Sequence, residues 1–177
     1  MNLFRFFPPA TRVPASLLAL GLLLSGCGYQ VGEIRPTAMK GIRTIAVQNF
    51  GNNSYEPRLE TLAADTLIKQ FQQDGTYTVV SDIRADAILY GEIAKVQRRS
   101  LRSLLDNVLA TDEFQLEVTV FYDLTDRVTG RSIKSGTIIG RTSFFTSPDL
   151  QQDERQAMPL AIQDAANQIV STVTEGF

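Results

Sequence analysis

Leu24-Ser25-Gly26-Cys27 closes a short apolar run, and its thiol is the group in this chain most clearly placed for chemistry. The pattern is that of a bacterial lipobox, which directs diacylglyceryl transfer to the cysteine, cleavage before it and acylation of the freed amine. Its flanks agree. Arg5 and Arg12 give a positive start, Val13 to Leu24 form the apolar stretch, and small residues precede the cleavage point, as a signal peptide requires. The stretch falls short of the roughly 20 apolar residues that a membrane-spanning helix needs. A lone cysteine is otherwise most simply a buried free thiol, a reading that leaves the flanking pattern unexplained. Residues 1–26 are therefore expected to be a lipoprotein signal peptide, and Cys27 the site of a covalent lipid. Each buried methylene contributes about 0.8 kcal/mol, so three acyl chains hold such a protein to its membrane. Gly28, not aspartate, follows the cysteine. That sorting pattern favours the outer membrane, with the folded part lipid-anchored on its periplasmic face.

A second cluster could do binding chemistry. Lys95, Arg98, Arg99 and Arg102 crowd together, interleaved with Leu101, Leu104 and Leu105, in an otherwise acidic chain. Planar guanidinium forks meet phosphate oxygens in pairs, so the cluster suits an anionic group carried beside apolar chains. It equally suits a solvated hairpin end whose cations keep an edge strand from pairing with strangers. Lys134 and Arg141 could extend the basic surface, although their odd spacing puts them on opposite faces of a regular strand. Phe144 and Phe145 likewise place one ring on each face, one for the core and the other for a partner or an exposed patch.

What is missing narrows the chemistry further. The chain has no histidine, the commonest metal ligand and the commonest general base near neutral pH. With Cys27 acylated there is no thiol nucleophile and no possible disulfide. No phosphate loop, metalloprotease helix or serine nucleophile elbow appears. No metal and no cofactor beyond the lipid on Cys27 is expected, and the chain reads as a binding or assembly component, not an enzyme. Removing residues 1–26 takes two arginines and moves the formal charge from −2 to −4, so nucleic acid is not a natural partner.

The elements that must position these residues follow from periodicity. Residues 27–41 read as an acylated tether, broken by Gly28, Gly32, Pro36 and Gly41, and residues 42–177 as a single periplasmic domain. Ile42 to Phe50 is rich in β-formers and ends at Gly51-Asn52-Asn53-Ser54, a turn cluster. Pro57 fits the first turn of a helix, whose apolar positions Leu59, Leu62, Ala63, Leu67 and Phe71 run to Asp74-Gly75. Thr76 to Val80 and Asp86 to Val96 read as strands. Glu113 to Asp123 alternates most clearly, with Phe114, Leu116, Val118, Val120 and Tyr122 facing a core. Arg131 to Phe145 continues as a long strand in which Gly136 and Gly140 suggest bulges or a bend. After Pro148-Asp149, Met158, Ile162, Ala165, Ile169 and Val173 form a helical stripe, with Pro159 either starting or kinking the helix. The expected class is α+β: a two-layer sandwich with a mostly antiparallel four-to-five-stranded sheet and two amphipathic helices on one face.

In this order the chain resembles the lipopolysaccharide-assembly lipoproteins, the LptE family. The resemblance rests on Cys27-Gly28-Tyr29 after the lipobox, the strand Ile42 to Phe50, the helix opening at Tyr55-Glu56-Pro57, and the strand from Phe114 leading to the turn at Thr129-Gly130. It spans most of the chain after Cys27. It implies a domain seated in the lumen of an LptD-type outer-membrane β-barrel, as plug and assembly factor for lipopolysaccharide transport to the outer leaflet. Partners implied are that barrel, lipopolysaccharide and the membrane. Lys95, Arg98, Arg99, Arg102, Lys134 and Arg141 are the candidate contacts with lipopolysaccharide or barrel. The competing reading is a lipoprotein of a secretion or pore-forming complex, similar to the curli-secretion lipoproteins, which also carry an "IAV-x-x-F" strand followed by a helix.

Overall fold

Alternation of apolar and polar residues after Glu113, interrupted at Phe121, produces the middle strand of an antiparallel meander on which the rest of the fold is laid. The computed structural model describes residues 37–102 and 113–175. Cys27, the signal peptide and most of the tether lie outside the described residues, as do residues 103–112. The strands are β1 (Thr44–Val47), β2 (Gly51–Asn52), β3 (Thr78–Val79), β4 (Ala87–Arg102), β5 (Glu113–Asp126) and β6 (Ser132–Phe145); the helices are α1 (Leu59–Asp74) and α2 (Leu150–Glu175). They form one sheet in the order β3-β1-β4-β5-β6, with β2 pairing β4 off this path. β4, β5 and β6 make an antiparallel meander, while β1 runs parallel to both β3 and β4. Six strands replace the expected four to five. β3 falls within the expected Thr76 to Val80 strand; the addition is β2, which lies in the segment read as a turn and at two residues is too short for any periodicity to mark.

Both helices cover one face. Leu67, Phe71, Ile162 and Ile169 of the helices share a core with Ile45, Leu89, Ile93, Leu116, Val118, Val120 and Leu124 of the sheet. Each such side chain taken fully from water stabilises the fold by roughly 1.5–3 kcal/mol. Met39, in the stretch read as tether, is buried in the same core. β1 is pinned to β4 by a reciprocal contact. The Asp86 carboxylate accepts the N–H groups of Arg43 (2.9 Å) and Thr44 (3.0 Å), and the Asp86 N–H is donated to the Thr44 hydroxyl at 2.9 Å.

Helix α1 stops where the sequence suggests. Gly75 ends it at φ 74°, donating its N–H to Phe71 O at 3.0 Å, the left-handed stop that glycine adopts without steric cost. Its start differs. Arg58 caps the helix at φ 67°, so Pro57 precedes the first turn instead of occupying it. The approach is held by Asn52, whose amide donates to Glu56 O and to the Glu60 carboxylate, both at 2.8 Å. Helix α2 is continuous through Pro159 and begins nine residues before it. Its N-cap is Asp149, whose side chain accepts the Gln152 N–H at 3.1 Å, a contact that satisfies one orphan donor of the first turn.

The two glycines of β6 are not bulges. The register with β5 is unbroken at both, and the irregularity falls between Leu124 and Thr125. Gly140 instead admits the helix, since a Cβ there would stand 2.1 Å from Ala161 O and 2.7 Å from Ala165 Cβ. Gly136 lies under the Tyr122 ring. The bulges are on the β4–β5 pair, between Ile93 and Lys95 and between Ser100 and Arg102.

Candidate functional site

The sheet face away from the helices is where the cationic residues gather. Register sets the pattern. On this open face Lys95, Gln97 and Arg99 of β4 stand beside Thr119, Glu117 and Gln115 of β5, which stand beside Ile139, Arg141 and Ser143 of β6. Neighbouring strands lie about 4.8 Å apart, within reach of long side chains. Glu117 occupies the middle. Arg99 Nε lies 3.0 Å from one of its carboxylate oxygens and Arg141 Nε 3.2 Å from the other. Lys95 is exposed and makes no ion pair among the described residues. Three cations thus surround the Glu117 carboxylate, with both guanidinium groups about half in water. Glu92 and Glu113 share the face at its two ends, opposite Phe121 and Phe145.

The sequence cluster is divided by the pleat. Arg98 pairs with Leu116 on the helix-covered side, where its Nη1 meets Glu154 of α2 at 2.6 Å. Its guanidinium carbon lies 5.4 Å from the centroid of Phe114, and that ring stacks on Phe144 at 6.1 Å. Arg98 thus ties the sheet to the helix, as buried-side arginines with a carboxylate and an aromatic face do. Arg102 ends β4 opposite Glu113, and its side chain lies outside the described residues. Lys134 registers with Leu124 and Arg141 with Glu117, so the two point to opposite faces, as their spacing predicts. Phe144 faces the core, and Phe145 is 65% exposed on the open side. Phe121, on the same face as Glu117, is 46% exposed. The patch is thereby flanked by aromatic surface at both ends.

Sequence reasoning missed Glu117, which reads as one more polar position of an alternating strand, yet is nearly enclosed by the two arginines. It also missed a cleft of about 380 Å³ where the start of α1 meets α2, lined by Arg58, Leu62, Arg155, Met158 and Pro159 among others. No signal in the chain marks either, because both depend on which segments lie side by side. Among the described residues no three metal-ligating side chains come together, and no helix is long and apolar enough to cross a membrane. What the open face can do is hold an anion, with fixed guanidinium donors and apolar surface beside them.

Comparison with known proteins gives a family and a fold. A family model described as LptE, lipopolysaccharide-assembly, matches residues 42–173. No curated protein matches the chain by sequence. Among solved structures, the chain is similar to a minor lipoprotein from Acinetobacter baumannii at 18% identity and a TM-score of 0.51, over 76% of this chain and 94% of that one. It is similar to a hypothetical protein from Chlamydia trachomatis at 10% identity and a TM-score of 0.54, over 75% and 96%. The PelC dodecamer from Paraburkholderia phytofirmans matches at 14% identity and a TM-score of 0.51, over 81% and 95%. At these identities the likeness to the solved structures is one of fold.

Proposed function

Because this chain belongs to the LptE lipopolysaccharide-assembly family, we propose that it is an outer-membrane lipoprotein that partners an LptD-type β-barrel as plug and assembly factor. In this role it binds and positions, without catalysing a reaction. The observation that carries the reading is the extent of the family match, which runs from the residues just before β1 nearly to the end of α2. The lipobox supports acylation of Cys27 and attachment to the periplasmic face of the outer membrane.

Within that role, Arg99, Arg141 and Lys95 are the contacts for lipopolysaccharide phosphates or for the barrel wall. They share the open face, their guanidinium groups are already oriented by Glu117, and exposed Phe121 and Phe145 supply apolar surface beside them. Orientation matters because a fixed planar fork loses less freedom on meeting a phosphate than a free lysine does. Arg98 and Lys134 serve the helix-covered side and are assigned no ligand.

The test is a detergent pull-down of the tagged, acylated protein from its native membranes, with stoichiometry measured. A single large outer-membrane barrel in equimolar amount is the expected result. A self-associated ring without a barrel would overturn the proposal in favour of the secretion reading. Mass spectrometry of the first mature residue reads the acyl chains on Cys27, and Cys27→Ala should leave the protein unattached to membranes. Charge reversal of Arg99 and Arg141 together should weaken lipopolysaccharide binding while the far-UV circular dichroism stays unchanged.

A further inference from the structure

β6 is the longest edge of this sheet among the described residues, since the opposite edge, β3, is two residues long and β4 is left uncovered on its far side only beyond Ile93. A long strand edge presents a row of unpaired N–H and C=O groups to any other strand. Here the middle of that row is occupied. Asp164 of α2 accepts the N–H of Arg141 at 2.8 Å, and the Gln168 amide donates to Ile139 O at 3.3 Å. The same Gln168 nitrogen donates to the Asp164 carboxylate at 2.8 Å, which joins two residues one helical turn apart into a single polar unit. Between the two backbone partners lies Gly140, whose missing side chain lets the backbone of α2 approach. The helix thereby takes one N–H and one C=O that a neighbouring strand would otherwise take.

We propose that Asp164 and Gln168 form a latch that holds α2 over the edge of β6, and that its release exposes a strand edge which pairs with β6 of a second copy of this chain. Three observations point to a second copy as the occupant. β6 carries only two charged side chains, Lys134 and Arg141, so like-charge repulsion opposes self-pairing weakly. Its residues Thr137, Ile138, Ile139, Thr142, Phe144 and Phe145 are of the types that pack well across strands. An antiparallel pairing of β6 with itself is isologous and closes as a two-fold dimer. With the latch closed, the 14-residue edge is divided into two short pieces, and pairing over so few residues is marginal. This inference is independent of the lipopolysaccharide reading.

The experiment uses the full-length acylated protein in detergent micelles, with Asp164→Ala and Gln168→Ala combined, followed by sedimentation and by hydrogen exchange. The expected result is a doubling of the protein mass with rising concentration. Exchange at the Ser143 amide, which shares the outward alternation of Arg141, should slow about tenfold or more in the dimer. Adding Ser143→Pro removes that edge donor and should return the protein to a monomer, and Asp164→Asn, which keeps an acceptor, should remain monomeric. A double variant that stays monomeric, or that associates with the β6 amides unprotected, would overturn the proposal. Should the double variant lose its helical signal, exchange in the wild type decides. The Arg141 amide is expected to open at least about tenfold more often than the amide of Val118 in the central strand. Exchange of the two in step, through global unfolding alone, would refute the latch.

Discussion

Arg99 and Arg141 stand on strands that do not touch, and both close on the same carboxylate, Glu117 giving one oxygen to each at 3.0 and 3.2 Å. The strand between them therefore sets the spacing of two cations that the chain separates by 42 positions. This arrangement neutralises one positive charge of the pair and leaves the other, with Lys95, directed at solvent or a partner.

Replacing Glu117 by Gln should release both guanidinium groups and raise the local positive charge. Because the arginines are about half exposed, the cost to stability should be modest, about 1 kcal/mol, read as a lower urea midpoint with an unchanged slope. Lipopolysaccharide affinity measured at low salt should rise, and the gain should shrink as salt screens the face. An affinity that falls would mean that the orientation Glu117 gives the arginines contributes more to binding than the positive charge its removal uncovers.

Arg98 and Arg99 should separate cleanly although they are neighbours in the chain. Arg98→Ala removes the Glu154 pair and the Phe114 contact and should lower stability by about 1–2 kcal/mol, with little effect on lipopolysaccharide binding. Arg99→Ala should do the reverse. Paired denaturation and binding titrations on the two single variants check this.

Gly140→Ala forces a methyl against Ala161 O, a backbone atom that moves only with the helix. A loss of about 2–3 kcal/mol is expected. Gly136→Ala meets the Tyr122 ring at 3.1 Å, a side chain that can give way, and should cost less than about 1 kcal/mol. The two thermal midpoints should fall in that order, and equal losses would contradict the close approach of α2.

The Arg43 backbone N–H, above all, holds the Asp86 carboxyl below its ordinary range; burial opposes this, and Thr44 and Arg127 assist. Asp126 is likewise lowered, first by the Thr129 N–H. For a carboxylate whose folded pKa is depressed, the contribution is present above the unfolded value of 3.8 and is lost as pH falls through the lower folded value. The wild type should therefore lose stability on acidification below about pH 4. Asp86→Asn should show a shallower decline over that range in chemical denaturation followed against pH.

Pro159 lies inside α2 and cannot donate to the carbonyl one turn earlier, at Arg155. Pro159→Ala restores that donor and should stabilise the protein by about 1–3 kcal/mol. A thermal midpoint that does not rise would mean that solvent at this exposed turn already satisfies the Arg155 carbonyl.

Local rules made much of the fold legible. The alternation of Leu116, Val118, Val120 and Tyr122 marked the central strand, the spacing of Leu59, Ala63, Leu67 and Phe71 marked α1, and Gly75 marked its end, because side-chain direction repeats every two residues in a strand and every 3.6 in a helix. The opposite facing of Lys134 and Arg141 followed from the same parity. The lipobox likewise stands in four consecutive residues and needs no fold to be seen. Only the tertiary structure decided which residues of the basic cluster act together. Lys95, Arg98, Arg99 and Arg102 look like one patch along the chain, yet the pleat and the bulge after Ile93 send Arg98 to Glu154 beneath α2 and leave Arg99 beside Glu117 and Arg141. Gly140 reads as a bulge until α2 is laid across it, and nothing in the helical stripe of α2 singles out Asp164 and Gln168 until β6 offers them its edge. In each case the deciding partner is distant in sequence, and contacts between distant segments are set by register and layer packing, which no local periodicity encodes.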